Sequence, residues 1–285
     1  MTIQTATRQF GSKARVAHEL RGLLYPKATV WVEGFAGTAA MTLAKPPHAV
    51  EHLNDLNGDA VNLFRVLRDD AQRQHLCALI EMTPYAQEEF MACRNQVWTT
   101  DADHAPDPVE RARQFLVASW QGFGGKQHVR ASWRLDKGRS SLTNTWIGLP
   151  DRLASVAQRL RLCHLHRRHI RDLVTLFAGK PETLLFLDPP YPRHTLNGHE
   201  VMYAVDMTDA EHAALAEQLR TVHCRVLITM AVGTVYSEVL SDWVHTPYGV
   251  RSLTNSAQQE VAISNYQPPG PVQAPAPSFP DLVEA

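Results

Sequence analysis

The run Thr183-Leu184-Leu185-Phe186-Leu187, halted at Asp188-Pro189-Pro190-Tyr191, constrains this chain more than any other stretch. A strand with no polar alternation is buried on both faces, as in a parallel sheet sandwiched by helices. The surrounding sequence agrees, because strand and helix patterns alternate. Residues 28–35 (ATVWVEGF) and 49–55 (AVEHLND) read as strands, and each is followed by a helical pattern, at 38–44 and 58–69. Residues 225–230 and 260–266 read as later strands. Thr208 and Glu211 form a capping box at the head of a helix over 209–222. The fold expected is α/β, a Rossmann-like sheet with helices on both faces. A chain of 285 residues, 44% hydrophobic, can bury the core of one large domain or two modest ones.

Between about residues 84 and 180 the alternation stops. A helix is expected over 107–120, with Asp107 as N-cap and Pro108 at its first position. A Gly-, Trp- and Arg-rich stretch and a basic helix at 151–162 follow. This length is too great for a loop and implies an inserted subdomain. The expected division is 1–83 and 181–267 for the two parts of the core, 84–180 for the insertion, and 268–285 for a Pro-rich disordered tail.

Charge is unevenly placed. Residues 110–180 hold 14 lysines and arginines against 4 acidic residues, although the whole chain has a net charge of −1. A basic segment in an acidic body suggests a polyanionic partner. Within and beside it, Lys126, Arg130, Arg134, Lys137, Arg139, Arg167, Arg168 and Arg171 are the candidate nucleic-acid contacts. Cys163, His164, His166 and His169 invite a metal reading. Their spacing matches no common structural zinc site, and the arginines beside them favour phosphate contact, so no metal is expected. Residues 122–126 (GFGGK) lack the preceding strand and following Ser/Thr of a P-loop and read as a hinge. The four cysteines form no C-x-x-C pair, and no apolar run reaches about 18 residues, so a reduced, soluble cytoplasmic protein is expected.

In an open α/β sheet, ligands bind beyond the carboxyl ends of the strands. Asp188 stands at such an end. Pro189 and Pro190 lack N–H groups, so the turn offers acceptors without competing donors, which suits an amino group. Tyr191 adds a flat face, and together they describe a pocket for a planar amine such as a nucleobase. Upstream, Phe35-x-Gly37-x-Ala39 is a small-residue turn between strand and helix. Asp55 follows Gly37 by 18 residues, at the end of the next strand, where a carboxylate grips a ribose diol.

These features, with FGSK (10–13), VEGFAG (32–37), NDLNGDAVNLFRVLRD (54–69), DPVERARQFLVASWQGFGGK (107–126) and TLLFLDPPY (183–191), occur in the order of the Dam-like (alpha-group) DNA adenine methyltransferases, which the chain resembles over roughly residues 10–266, including members of phage and prophage type. The resemblance implies an S-adenosyl-L-methionine-dependent enzyme that methylates N6 of an adenine flipped out of double-stranded DNA. It implies catalytic roles for Asp188, Pro189, Pro190 and Tyr191, and cofactor contacts from Lys13, Glu33, Phe35, Gly37, Asp55 and Asp188. It also makes the insertion a target-recognition region. No membrane is implied, a monomer is compatible, and the setting is the cytoplasm of a bacterial or phage-infected cell. The chain departs from the family at Gly34, often Pro, and at Ala39, often Gly, where a methyl would narrow the approach of the cofactor. The acidic–aromatic pair that reads the cofactor adenine falls at His169-Ile170, with Asp172 as a substitute. The alternatives are an RNA base N-methyltransferase and a catalytically silent DNA-binding relative.

Overall fold

The computed structural model describes residues 3–9, 11–95, 107–123, 131–135, 141–192, 205–249 and 260–270. Helix α1 (Ala17–Arg21) leads into strand β1 (Val30–Glu33), then α2 (Ala40–Ala44), β2 (Val50–Asn54) and α3 (Gly58–Arg68). Five helices come next, α4 (Asp70–Met82), α5 (Gln87–Arg94), α6 (Pro108–Gln121), α7 (Leu142–Ile147) and α8 (Leu149–Leu160). The chain returns through β3 (Cys163–His166), α9 (Ile170–Phe177), β4 (Thr183–Leu187), α10 (Asp209–Leu219), β5 (Arg225–Ala231), α11 (Val235–Val239), β6 (Val244–Tyr248) and β7 (Glu260–Ser264).

These strands form one 7-stranded sheet in the order β3-β2-β1-β4-β5-β7-β6. Strands β1 to β5 are parallel, and β7 runs antiparallel between β5 and β6. All five residues of β4 are buried, as the unbroken apolar run requires. Trp31, Leu184, Phe186 and Leu227 pack under α1 and α2, while Val32, Leu185, Leu187 and Ile228 pack under α9 and α10. The sheet is therefore covered on both faces, and its order reverses between β1 and β4. That reversal opens a crevice at their carboxyl ends.

The expected insertion boundary at residue 180 shifts. β3 pairs with β2, and α9 packs under the sheet, so residues 163–177 belong to the core. The helices before them do not stand apart either. Phe115 and Leu116 of α6 and Leu153 and Val156 of α8 share one apolar cluster with Leu63 and Phe64 of α3 and Leu53 of β2.

Part of the basic charge pairs with carboxylates of this chain. Arg111 pairs with Asp59 at 2.6 Å, and Arg113 pairs with Glu89 at 2.5 Å and Glu110 at 2.6 Å. Arg159 engages Glu51, and Arg161 engages Asp70. Part of the charge asymmetry is thus complementarity between segments of one chain. Period 2 along β3 separates the zinc candidates, since Cys163 and Leu165 pack into the helical cluster while His164 and His166 meet His52 on the other face. Among the described residues, no helix is long and apolar enough to cross a membrane.

Asn54 ties the crevice together. Its Nδ2 donates to Gly34 O at 3.0 Å and Arg168 O at 3.1 Å, and its Oδ1 accepts from Arg168 N at 2.9 Å. It thus fixes three chain ends from a site 2% exposed. Asn54→Ala leaves the buried Gly34 carbonyl and the Arg168 backbone without these partners and is expected to cost about 2–3 kcal/mol. A urea titration showing a lower midpoint at unchanged slope is the expected result.

Candidate active site

Beyond the carboxyl ends of β1 and β4 lies a cavity of about 1080 Å³ including its open mouth. Its walls come from the turn at 33–38, residues 54–57 after β2, residues 168–170 after β3, residues 188–191 after β4, and Val205–Met207 with Glu211. Gln9 and residues 11–13 form the remaining wall. The two carboxylates singled out in the sequence, Asp55 and Asp188, thus line one cavity.

Asp55 organises the first part. Its Oδ2 accepts from Gly37 N at 2.6 Å, and its Oδ1 accepts from Asn57 N at 2.8 Å. Burial pushes this carboxyl above its usual range, against those amide bonds. Gly37 sits at φ 48°, and a Cβ there would lie 3.0 Å from Gln9 Oε1. A Cβ at Gly34 would approach Leu187 Cδ2 to 2.5 Å and Ile170 Cδ1 to 2.8 Å, so these side-chain ends would have to shift to admit it. Ala39 is left-handed at φ 55°, but it is fully buried in the helical cluster and outside the cavity wall. Its methyl therefore does not narrow the pocket; the cost is backbone strain of roughly 1 kcal/mol.

Asp188 anchors the other part. Its Oδ1 accepts from Thr229 Oγ1 at 2.8 Å and lies 2.9 Å from Lys13 Nζ. No described residue donates to Oδ2, on a side chain that lines the cavity. Burial raises this carboxyl above its usual range, opposed first by the Lys13 charge. Pro189, Pro190 and Tyr191 continue the wall. The Tyr191 hydroxyl accepts from Lys13 Nζ at 3.2 Å and donates to Glu260 Oε1 at 2.7 Å, with Lys13 Nζ 5.1 Å from the ring centre.

Lys13 and Glu33 both line the cavity, and each also has partners within the chain. Lys13 lines the cavity but directs its ammonium to Asp188 and Tyr191. Glu33 turns toward α2, where it accepts from Met41 N at 3.4 Å and from Thr42 N at 2.9 Å and the Thr42 hydroxyl. Burial pushes its carboxyl up to about 7. It thus ties the start of α2 to the cavity wall beside the glycine turn. Phe35, His169 and Ile170 line the cavity, whereas Asp172 is exposed on α9 outside it.

Of the candidate nucleic-acid contacts, Arg168 is exposed at the cavity wall, and Arg167 and Arg171 are exposed beside it. Arg134 is half-buried, and its carbonyl accepts from the Tyr85 hydroxyl at 2.8 Å. Lys126, Arg130, Lys137 and Arg139, like most of GFGGK and the tail from 271, lie outside the described residues. Sequence reasoning missed Asn54, Thr229 and Glu260. The signals were a second polar residue beside Asp55, a lone hydroxyl in the apolar run 225–231, and a carboxylate opening a strand.

The donor set fits a nucleoside beside an amine. A glycine turn next to a buried carboxylate suits a ribose, and a second carboxylate with a bare acceptor oxygen suits an amine. A family model described as D12 class N6 adenine-specific DNA methyltransferase matches residues 10–255. No curated protein matches the sequence.

Proposed function

The chain belongs to the D12 class N6 adenine-specific DNA methyltransferase family, and from that premise we propose that the cavity between Asp55 and Asp188 holds S-adenosyl-L-methionine and the target adenine together. Methylation of adenine N6 in DNA is the family's activity, and it displaces the RNA-methylating alternative. The observation that carries the residue assignment is the sharing of one cavity by a ribose-type carboxylate and an amine-type carboxylate at the sheet's reversal point.

S-adenosyl-L-methionine, when bound, supplies an electrophilic methyl group on a sulfonium. Asp55 and the Gly37 turn would hold the ribose part, Phe35 would offer an apolar wall, and His169 with Ile170 would flank the adenine part. The target base leaves the duplex, because N6 is otherwise paired inside the stack. Tyr191 holds the extruded ring. Asp188 Oδ2 and the Pro189 carbonyl accept the two N–H groups of the amine, which draws the nitrogen lone pair out of the ring. Positive charge then develops on N6 beside a carboxylate already fixed by Thr229 and Lys13. Incubating the protein with methyl-labelled donor and duplex DNA, followed by nucleoside analysis, is expected to give labelled N6-methyladenine. Label confined to cytosine or to RNA would overturn this reading.

Arg167, Arg168 and Arg171 present charge beside the mouth and serve the phosphate backbone. Neutralising all three is expected to weaken binding to every DNA sequence alike and to flatten the salt dependence by ~0.9 per lost phosphate contact. Fluorescence anisotropy across a salt series checks this, and an unchanged slope would remove the arginines from the interface.

A further inference from the structure

Glu260 opens β7 and lies beyond residues 10–255, the stretch that the family model matches. Its carboxylate reaches two residues of the cavity wall, Tyr191 and Lys13, from a strand that carries none of the residues assigned so far. Oε1 accepts from the Tyr191 hydroxyl at 2.7 Å, and Oε2 lies 3.8 Å from Lys13 Nζ. Lys13 therefore sits between two carboxylates, with Asp188 Oδ1 the nearer at 2.9 Å. The Lys13 side chain is 6% exposed and that of Glu260 is 31% exposed, so the cluster is shielded on the Lys13 side and open at Glu260.

Two consequences follow from this geometry. A tyrosine ring turns over a broad, two-fold torsional well, and a stacking platform must present one fixed face. A charge-assisted bond from the hydroxyl to a carboxylate supplies that fixity. The second consequence is electrostatic. Lys13 and Asp188 alone would form a neutral pair and blunt the carboxylate on which the amine depends. Adding Glu260 leaves the three groups with a net negative charge, the sign that favours a cation forming at N6.

We propose that Glu260 is a positioning residue for methyl transfer, acting through Tyr191 and Lys13. It holds the Tyr191 ring in its stacking orientation and keeps the Lys13 ammonium on Asp188 Oδ1, so that Oδ2 stays available to the target amine. This role rests on the catalytic assignment of Asp188 and Tyr191 made above.

The test is a double-mutant cycle on the full chain, read as single-turnover methyl transfer at saturating cofactor and DNA. Glu260→Ala is expected to slow the step about 10- to 100-fold through misplacement of the platform. The cofactor dissociation constant should stay within about twofold, because Glu260 is remote from the Asp55 part of the site. Glu260→Gln keeps an acceptor for the hydroxyl and should recover part of the rate. In a Tyr191→Phe background the hydroxyl is gone, so Glu260→Ala should cost at least about fivefold less than in the wild type. A wild-type rate for Glu260→Ala, or the same loss in both backgrounds, would overturn the proposal. Asp188→Ala measured alongside separates the two failures. An active Asp188→Ala variant removes the catalytic assignment itself, whereas an inactive one with independent Glu260 and Tyr191 effects removes only the role of Glu260.

Discussion

Replacing Asp188 by alanine is expected to lower the maximal rate of methyl transfer about 10³-fold while leaving cofactor affinity within a factor of about two. The expectation rests on where the carboxylate's bonds go. Oδ1 is held by Thr229 and Lys13, and Oδ2 faces the cavity without a donor from the described residues. Acceptance by Oδ2 strengthens as the amine becomes cationic, so its loss falls on the transition state and not on ground-state binding. Asp188→Asn keeps an acceptor oxygen, provided the amide turns its Nδ2 away from Lys13, but lacks the charge. A partial rate in that variant would assign the effect to hydrogen bonding. Rates under saturating cofactor and DNA, with calorimetric titration of the cofactor, check both halves. A near-normal rate for Asp188→Ala would reduce residues 188–191 to a structural turn.

Asp55→Ala should behave in the opposite way. A ribose contact is equally present before and during the reaction, so its loss appears as weaker cofactor binding with a recoverable maximal rate. Charged hydrogen bonds of this kind are worth about 1.5–3 kcal/mol, or roughly 10- to 100-fold in affinity. Part of that loss will come from the glycine turn, because Asp55 also accepts from Gly37 N and Asn57 N. Acid should mimic the mutation. Burial raises the Asp55 carboxyl above its usual range, so on acidification its charge is lost at a higher pH than that of an ordinary aspartate. Titrating the cofactor against wild type and Asp55→Ala over falling pH should therefore show a decline in the first and a flatter line in the second. A rate deficit in Asp55→Ala that persists at saturating cofactor would place the residue in the chemical step.

How far the sequence carried the fold depended on pattern length. The run at 183–187 identified β4, and its burial on both faces is what an unbroken apolar strand demands. Helix α10 was legible because Thr208 and Glu211 satisfy each other's backbone donors, and α6 because Asp107 and Pro108 mark its first turn. β3 and β6 were not legible. β3 is only four residues long, too short for its alternation to stand out from chance, and β6 contains Pro247. Both are edge strands, where proline and polar side chains are tolerated. In the site, residue type indicated which side chains converge but not the direction each would face. Glu33 and Lys13 were expected to touch cofactor because they sit in the right motifs. Whether a carboxylate also caps a neighbouring helix depends on the local backbone, as the bonds that Glu33 accepts from Thr42 show. Contacts between Lys13 and Glu260 join residues nearly a chain length apart, and no local pattern announces them.

The position of β7 between β5 and β6 bears on synthesis. A ribosome extrudes β6 before the strand that will join it to the sheet exists. Until β7 emerges, β5 presents an open, apolar edge and β6 has no neighbour, which is the exposed arrangement that invites pairing between nascent chains. The same strand brings Glu260 to Tyr191 and Lys13. Closure of the sheet edge and completion of the cluster therefore coincide, and a chain stalled before β7 would combine an aggregation-prone edge with an unfinished site.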